Sequence, residues 1–249
     1  MRTPVIAGNW KMYKTAREAR EAVRALRGLV EGLEGMEIVV CPPFTALSAA
    51  VEAAHGSRIA IGAQNCHWEK EGAFTGEVSV PMIAELGCSH VIVGHSERRQ
   101  LFGETDGSVN RKVGAVLDAG LSCIACIGET LQERDSGQTL QVLERQVRDG
   151  LVGRLPSPRL VIAYEPVWAI GTGKTATPAQ AEEAHAFVRD LVAKAAGAAT
   201  AARIRILYGG SVKPDNIATL MAQPDVDGGL VGGASLDPAS FAKIIRFRG

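Results

Sequence analysis

Three side chains able to move or stabilise charge stand in short motifs. Lys11 closes Gly8-Asn9-Trp10-Lys11, His95 sits in Gly94-His95-Ser96-Glu97-Arg98-Arg99, and Glu165 opens Glu165-Pro166-Val167-Trp168 after Tyr164. A carboxylate, an imidazole and an ammonium together suit acid–base chemistry on a polar substrate. One group takes a proton, one polarises a carbonyl, and one faces the negative charge that develops. Each also has a plainer reading. Glu165 ends an apolar run, where a carboxylate is either solvated or held in a low-dielectric setting that raises its pKa toward a usable base. His95 precedes Ser96-Glu97, a good helix start whose positive end disfavours imidazolium. An isolated histidine is otherwise a core residue, the reading given to His55, His67, His90 and His185. Lys11 is an ordinary surface lysine unless an anion faces it, and Glu97 suits the first turn of a helix. Two glycine-rich turns, Gly209-Gly210-Ser211 and Gly232-Gly233-Ala234-Ser235, can bring backbone N–H groups close to an anion without bulk.

These groups need a scaffold that brings them to one place. Eight short apolar or β-branched runs recur along the chain, at Val5–Gly8, Glu37–Cys41, Arg58–Ala63, His90–Gly94, Ser122–Ile127, Leu160–Tyr164, Arg205–Tyr208 and Gly229–Val231. Most are continuously apolar, as parallel strands buried on both faces are. The segments between them are long enough for crossover helices and carry helical periodicity. Ala16, Ala19, Val23, Leu26 and Val30 make one stripe; Val109, Val113, Val116 and Leu117 make another; Leu140, Leu143, Val147 and Leu151 make a third. Pro178, Pro214 and Pro238 suit the first turns of three further helices, where the missing N–H has no partner to lose. Eight such units predict an α/β fold, a single-domain (β/α)8 barrel of eight parallel strands over residues 1–249. The chain's 249 residues match the usual length of that architecture. A doubly wound open sheet is the structural alternative, but Ala7-Gly8-Asn9-Trp10-Lys11 is not a dinucleotide fingerprint. In a barrel, catalytic groups collect at the C-terminal strand ends. The motifs of Lys11, His95, Glu165 and both glycine turns all fall there.

The motifs Gly8-Asn9-Trp10-Lys11, Val91 through Arg99, Ala163 through Lys174, Tyr208-Gly209-Gly210-Ser211 and Leu230 through Ala234 resemble those of the triosephosphate isomerase family, in order and across essentially the whole chain. The resemblance implies a TIM barrel that interconverts dihydroxyacetone phosphate and glyceraldehyde 3-phosphate. It implies Glu165 as the base that takes a proton from the carbon beside the carbonyl and returns it to the neighbouring carbon. It implies His95 as a neutral electrophile, the family's own known device, and Lys11 as the cation facing phosphate and oxyanion. Asn9 resembles a substrate-contacting amide. Gly171, Ser211, Gly232 and Gly233 resemble phosphate donors. Ser96, Glu97 and Cys126 resemble supporting residues, Glu97 beside Lys11 and Cys126 beside Glu165. Pro166, Val167 and Trp168 together with Lys174, Thr175 and Ala176 resemble the stiff hinges of a lid whose closure excludes water from an enediolate. The long segment Gln64–Glu77 resembles one that inserts into a second subunit, bringing Thr75 near the partner's site in a homodimer. Tyr13 departs from the small polar residue common there in the family, a change expected to bear on subunit packing and not on the chemistry. No cofactor and no metal are implied. The alternative is a catalytically inactive phosphosugar-binding or scaffold barrel. It predicts loss of the base, the electrophile or the ammonium.

Composition narrows the field further. The 27 basic and 27 acidic residues balance, which argues against a nucleic-acid binder. No apolar stretch approaches the 18 residues of a membrane span, and five cysteines without scaffold density fit free thiols in a reducing cytoplasm. Two motifs are decoys. Gly171-Thr172-Gly173-Lys174-Thr175 imitates the end of a P-loop, but Trp168 stands where its first glycine belongs. Cys123 and Cys126, three apart on a strand, point to opposite faces and cannot readily share a metal.

Overall fold

A computed structural model describes residues 2–170 and 174–248. Eight parallel strands close into a barrel in sequence order: β1 (Val5–Asn9), β2 (Glu37–Cys41), β3 (Ile59–Ala63), β4 (His90–Val93), β5 (Ser122–Ile127), β6 (Leu160–Tyr164), β7 (Arg205–Tyr208) and β8 (Gly228–Val231). Closure comes from β1 pairing with β8, Val5 opposite Gly228 and Gly8 opposite Val231. All eight expected runs are strands, with ends shifted by a residue at most in β1, β3, β4 and β8.

The alternation of side chains along each strand divides the core into two layers. Val5, Ala7, Val39, Cys41, Ile92, Ile124, Cys126, Val161, Ala163, Leu207 and Leu230 fill the barrel interior. Their neighbours along the strands, such as Ile6, Val40, Val91, Ala125 and Ile162, face the surrounding helices. Cys123 lies in the outer layer and Cys126 in the inner one, as strand spacing requires. The N-terminal end of the interior is closed by polar groups. Glu37 accepts from Arg205 Nη1 at 2.6 Å and meets His90 Nε2 at 2.9 Å. That leaves the opposite, C-terminal end for chemistry.

The helices form where capping and periodicity agree. Ala16–Leu29 begins at Thr15, which makes a reciprocal capping box with Glu18, and buries Ala19, Ala22, Val23 and Leu26. Asp106–Asp118 and Thr139–Gly150 bury Val109, Val113 and Val116, and Leu143 and Val147, while Leu140 stays exposed. Pro178 and Pro238 open their helices as expected. Pro214 does not: it begins a turn, and the helix starts at Ile217. Lys213 N–H is held by Asn216 Oδ1 at 2.8 Å, so the asparagine builds the turn before the helix can begin. His67, His90 and His185 are buried, whereas His55 is exposed just past the helix Leu47–Ala54.

Candidate active site at the C-terminal end of the barrel

A cavity of about 340 Å³ opens at this end, lined by Asn9, Lys11, His95, Glu165, Ser211, Gly232 and Gly233 among others. These are sequence-selected residues from β1 and from the loops after β1, β4, β6, β7 and β8, brought together by barrel closure. Tyr13, an exposed residue, also borders the cavity.

Asn9 is buried at the last position of β1, and its Oδ1 accepts the Lys11 N–H at 3.0 Å. Lys11 takes a left-handed backbone conformation, φ 50°, which a non-glycine residue holds only with support. Gln64, the first residue after β3, supplies it by donating to the carbonyls of Lys11 and Cys41, both at 2.8 Å. The ammonium of Lys11 then meets Glu97 Oε1 at 2.5 Å.

His95 caps the helix Ser96–Leu101. Its Nδ1 accepts the Glu97 N–H at 3.2 Å, so that nitrogen carries a lone pair. The proton therefore sits on Nε2, which faces Glu165 Oε1 at 2.9 Å. Burial pulls the imidazole pKa down, but the charge and hydrogen bond of Glu165, with Glu97 behind, raise it overall.

Glu165 is 2% exposed and directly follows the apolar strand β6. Its Oε2 accepts the Ser96 N–H at 2.9 Å, and its own N–H is fixed to Ile127 O at 2.7 Å. Burial alone would raise its pKa, as the sequence led us to expect. The structure reverses that: the His95 contact, the Ser96 amide and Lys11 outweigh burial and hold the carboxyl below its ordinary value. Two glycines crowd the same residue. A Cβ at Gly209 would lie 2.8 Å from Glu165 Cγ, and one at Gly128 would run into the Glu165 carbonyl. Cys126 lies one strand over in the barrel interior, buried, its thiol pushed well up by burial and then by the nearby Glu165 charge.

The segment after Glu165 is anchored at its first hinge. Val167–Ala169 forms a 3₁₀ turn, Val167 N–H reaches Glu129 O at 3.1 Å, and Trp168 Nε1 donates to Glu129 Oε1 at 2.9 Å. Trp168 is therefore half-buried, with the Arg134 guanidinium 4.5 Å from its ring centroid. At the second hinge Ala176 is buried, while Lys174 and Thr175 are exposed. Gly171 lies outside the described residues. Beyond β8, a 3₁₀ turn at Gly233–Ser235 follows Gly232, and Ser235 Oγ donates to Gly232 O at 2.6 Å. Thr75 is exposed on the Gln64–Glu77 segment and does not line the cavity.

Gln64, Gly128 and Glu129 were not singled out from sequence as site residues, and Gly209 was read only as part of a glycine turn suited to an anion, not as a neighbour of Glu165. All four stand at strand exits, where catalytic groups of a barrel collect. Among the described residues no group of three His, Cys, Asp or Glu could hold a metal ion.

Comparison with known proteins agrees with this geometry. The family model described as triosephosphate isomerase matches residues 4–248. A relative of that name from Moorella thermoacetica is 61% identical, with 99% of each chain covered. Another, from Pelobacter propionicus, is 59% identical over the full length of both chains. The crystal structure of triosephosphate isomerase from Bartonella henselae superposes with a TM-score of 0.91 at 42% identity, covering 99% of each chain. The chain belongs to the triosephosphate isomerase family.

Proposed function

We infer that this protein is an aldose–ketose isomerase that interconverts dihydroxyacetone phosphate and D-glyceraldehyde 3-phosphate, a step of glycolysis and gluconeogenesis. The observation that carries the reading is the meeting of Glu165, His95 and Lys11 in one cavity beside the glycine turns after β7 and β8. In the mechanism the family resemblance implies, Glu165 takes the proton from the carbon next to the substrate carbonyl. The C–H electron pair becomes the carbon–carbon double bond of an enediolate, and the carbonyl electrons move onto oxygen. His95 Nε2–H and the Lys11 ammonium face that oxygen, where donors are most effective in a water-poor site. His95 Nε2 gives its proton to that oxygen and takes one from the adjacent hydroxyl oxygen, which becomes the new carbonyl, while Glu165 returns its proton to the neighbouring carbon, so both groups are restored to their starting state.

Substrate must enter between Glu165 and His95. Its entry displaces the His95 contact, the largest influence holding the carboxyl pKa down, while burial remains, and so makes the carboxylate a stronger base. The same displacement leaves His95 with the Glu97 amide on Nδ1 and favours the neutral ring. Glu97 holds the Lys11 ammonium in place. Asn9, Gly171, Ser211, Gly232 and Gly233 bind the substrate, the last four through its phosphate. Ser96 and Cys126 support Glu165, and the hinges Pro166–Trp168 and Lys174–Ala176 carry a lid over it.

The chain is one domain, joined end to end by the β1–β8 pairing. It works as a homodimer, with Thr75 reaching the partner's site; exposed Met12, Phe74, Met82 and Phe102 support a covered face. A mass measurement across dilutions tests this, and an active monomer would refute it. Five buried free cysteines support a cytoplasmic setting, and among the described residues no helix is long and apolar enough to cross a membrane. The reaction itself is tested by a coupled assay on glyceraldehyde 3-phosphate in the presence of a chelator. Rapid turnover is expected. Phosphosugar binding without turnover would replace the isomerase with an inactive binding barrel.

A further inference from the structure

We propose that Arg99 is a positioning residue for the reaction: its guanidinium clamps the peptide before His95 and so sets where the imidazole meets the substrate. The inference rests on the isomerase reading and assigns a task to a side chain that does not line the cavity.

Gly94 is the joint on which His95 is mounted. It leaves β4 with φ 74°, and an added Cβ would meet Val109 Cγ2 at 2.9 Å and Cys126 O at 3.1 Å. The joint therefore has both a conformation and a close fit that only glycine tolerates. Its two polar groups are held from opposite sides. Arg99 Nε donates to Gly94 O at 2.8 Å, and Glu104 Oε2 accepts the Gly94 N–H at 3.0 Å. The remaining guanidinium nitrogens reach further. Arg99 Nη2 donates to Cys126 O at 3.2 Å, and Nη1 donates to Asp106 Oδ1 at 2.6 Å. One planar group thus ties the exit of β4 to β5, the strand that pairs with β6, and anchors itself on the helix Asp106–Asp118.

The consequence falls on the two reacting groups. Cys126 pairs with Ala163 in the β5–β6 register, two residues before Glu165. Fixing Gly94 O and Cys126 O to a single guanidinium fixes the spacing of His95 relative to Glu165. A lysine cannot replace it, because a single ammonium on a flexible stem does not present the fixed fork that reaches two carbonyls and a carboxylate. Glu104 on the other side is itself held, paired with the Lys112 ammonium, which also reaches Asn65 Oδ1 at 2.8 Å.

The test compares native protein with Arg99→Lys and Arg99→Ala by steady-state kinetics and by ¹⁵N NMR of the histidine rings. Near-attack geometry lost over a fraction of an ångström to 1 Å predicts a fall in kcat of about 10- to 100-fold. KM stays within twofold, because the phosphate turns are untouched. The His95 nitrogen signals move away from the single tautomer with Nδ1 bare and Nε2 protonated. Guanidinium ion at concentrations below denaturation restores part of the Arg99→Ala loss, while sodium chloride of equal ionic strength does not. If Arg99→Ala does not fold, Arg99→Lys decides. A folded Arg99→Lys with kcat within twofold of native overturns the proposal. So does a rise in KM alone, or a loss of kcat with His95 signals unchanged. Absence of turnover in native protein would instead remove the isomerase reading, and the NMR arm would still decide whether Arg99 holds the His95 ring in place against the Glu97 amide.

Discussion

Replacing Gly209 by alanine is the sharpest way to move Glu165 without touching its carboxylate. Gly209 has no left-handed backbone requirement, so alanine meets no conformational penalty there. The obstacle is contact alone. The new Cβ would stand 2.8 Å from Glu165 Cγ and 3.1 Å from Tyr164 O. The second neighbour cannot yield, because that carbonyl accepts the Gly209 N–H at 2.7 Å in the β6–β7 pairing. The glutamate must therefore retreat, by about 0.6 Å to reach the near edge of ordinary contact and by about 1.2 Å to reach the far edge. A misplacement of this order costs about 10- to 100-fold in rate, or about 1.4–2.7 kcal/mol in barrier. The loss should fall on kcat, with KM nearly unchanged. Steady-state kinetics at saturating glyceraldehyde 3-phosphate measures it, with circular dichroism and a thermal melt to show that the barrel is intact. A folded variant with kcat within twofold of native would show that the close contact with Gly209 does not set the position of the base.

Three further outcomes follow from other parts of the molecule. Gly233→Ala adds a methyl group with no atom within 4 Å, so it should leave stability unchanged; if the phosphate lies there, KM rises at least about tenfold, the cost of losing roughly one donor, and inhibition by inorganic phosphate weakens in step. Trp168→Phe removes the N–H that Glu129 accepts and loosens the first hinge. Measured product partitioning should show more inorganic phosphate released per turnover, and an unchanged ratio would contradict a lid role for this contact. His185 is fully buried, and burial lowers its pKa to about 4. Between pH ~6.5 and that value the unfolded chain takes up a proton that the folded chain refuses, so stability falls as pH falls, by about 3 kcal/mol in all. Urea unfolding at pH 7 and pH 4.5 should show a steeper loss in native protein than in His185→Gln; equal slopes would remove His185 as the cause.

Much of this was legible before any coordinates, for physical reasons that differ by element. The strands stood out because a parallel barrel buries both faces, so each strand reads as an unbroken apolar run such as Leu160–Tyr164. The site followed from the strands, since closure alone brings the ends of β1, β4 and β6 to one mouth. What stayed hidden depends on contacts distant in sequence. The lowered pKa of Glu165 comes from His95 and Ser96, about seventy residues away, and a local reading saw only burial. Gln64 supports the Lys11 backbone across 53 residues. Pro214 misled because proline fits a turn as well as a first helical turn, and the asparagine two residues on favoured the turn. The proximity of Tyr13 to the cavity depends on where the chain turns after Lys11, and the left-handed conformation of Lys11 had no signal in residue type.

The central claim is that one carboxylate, Glu165, carries the proton between adjacent carbons of the substrate. The most direct test follows the reaction in deuterium oxide by NMR, with a chelator present, for native protein and Glu165→Ala. The account predicts rapid isomerisation with deuterium appearing on the reacting carbons for the native protein, and a fall of several orders of magnitude in both signals for a variant that remains folded. Turnover and exchange that persist within tenfold in Glu165→Ala would show that another group is the base.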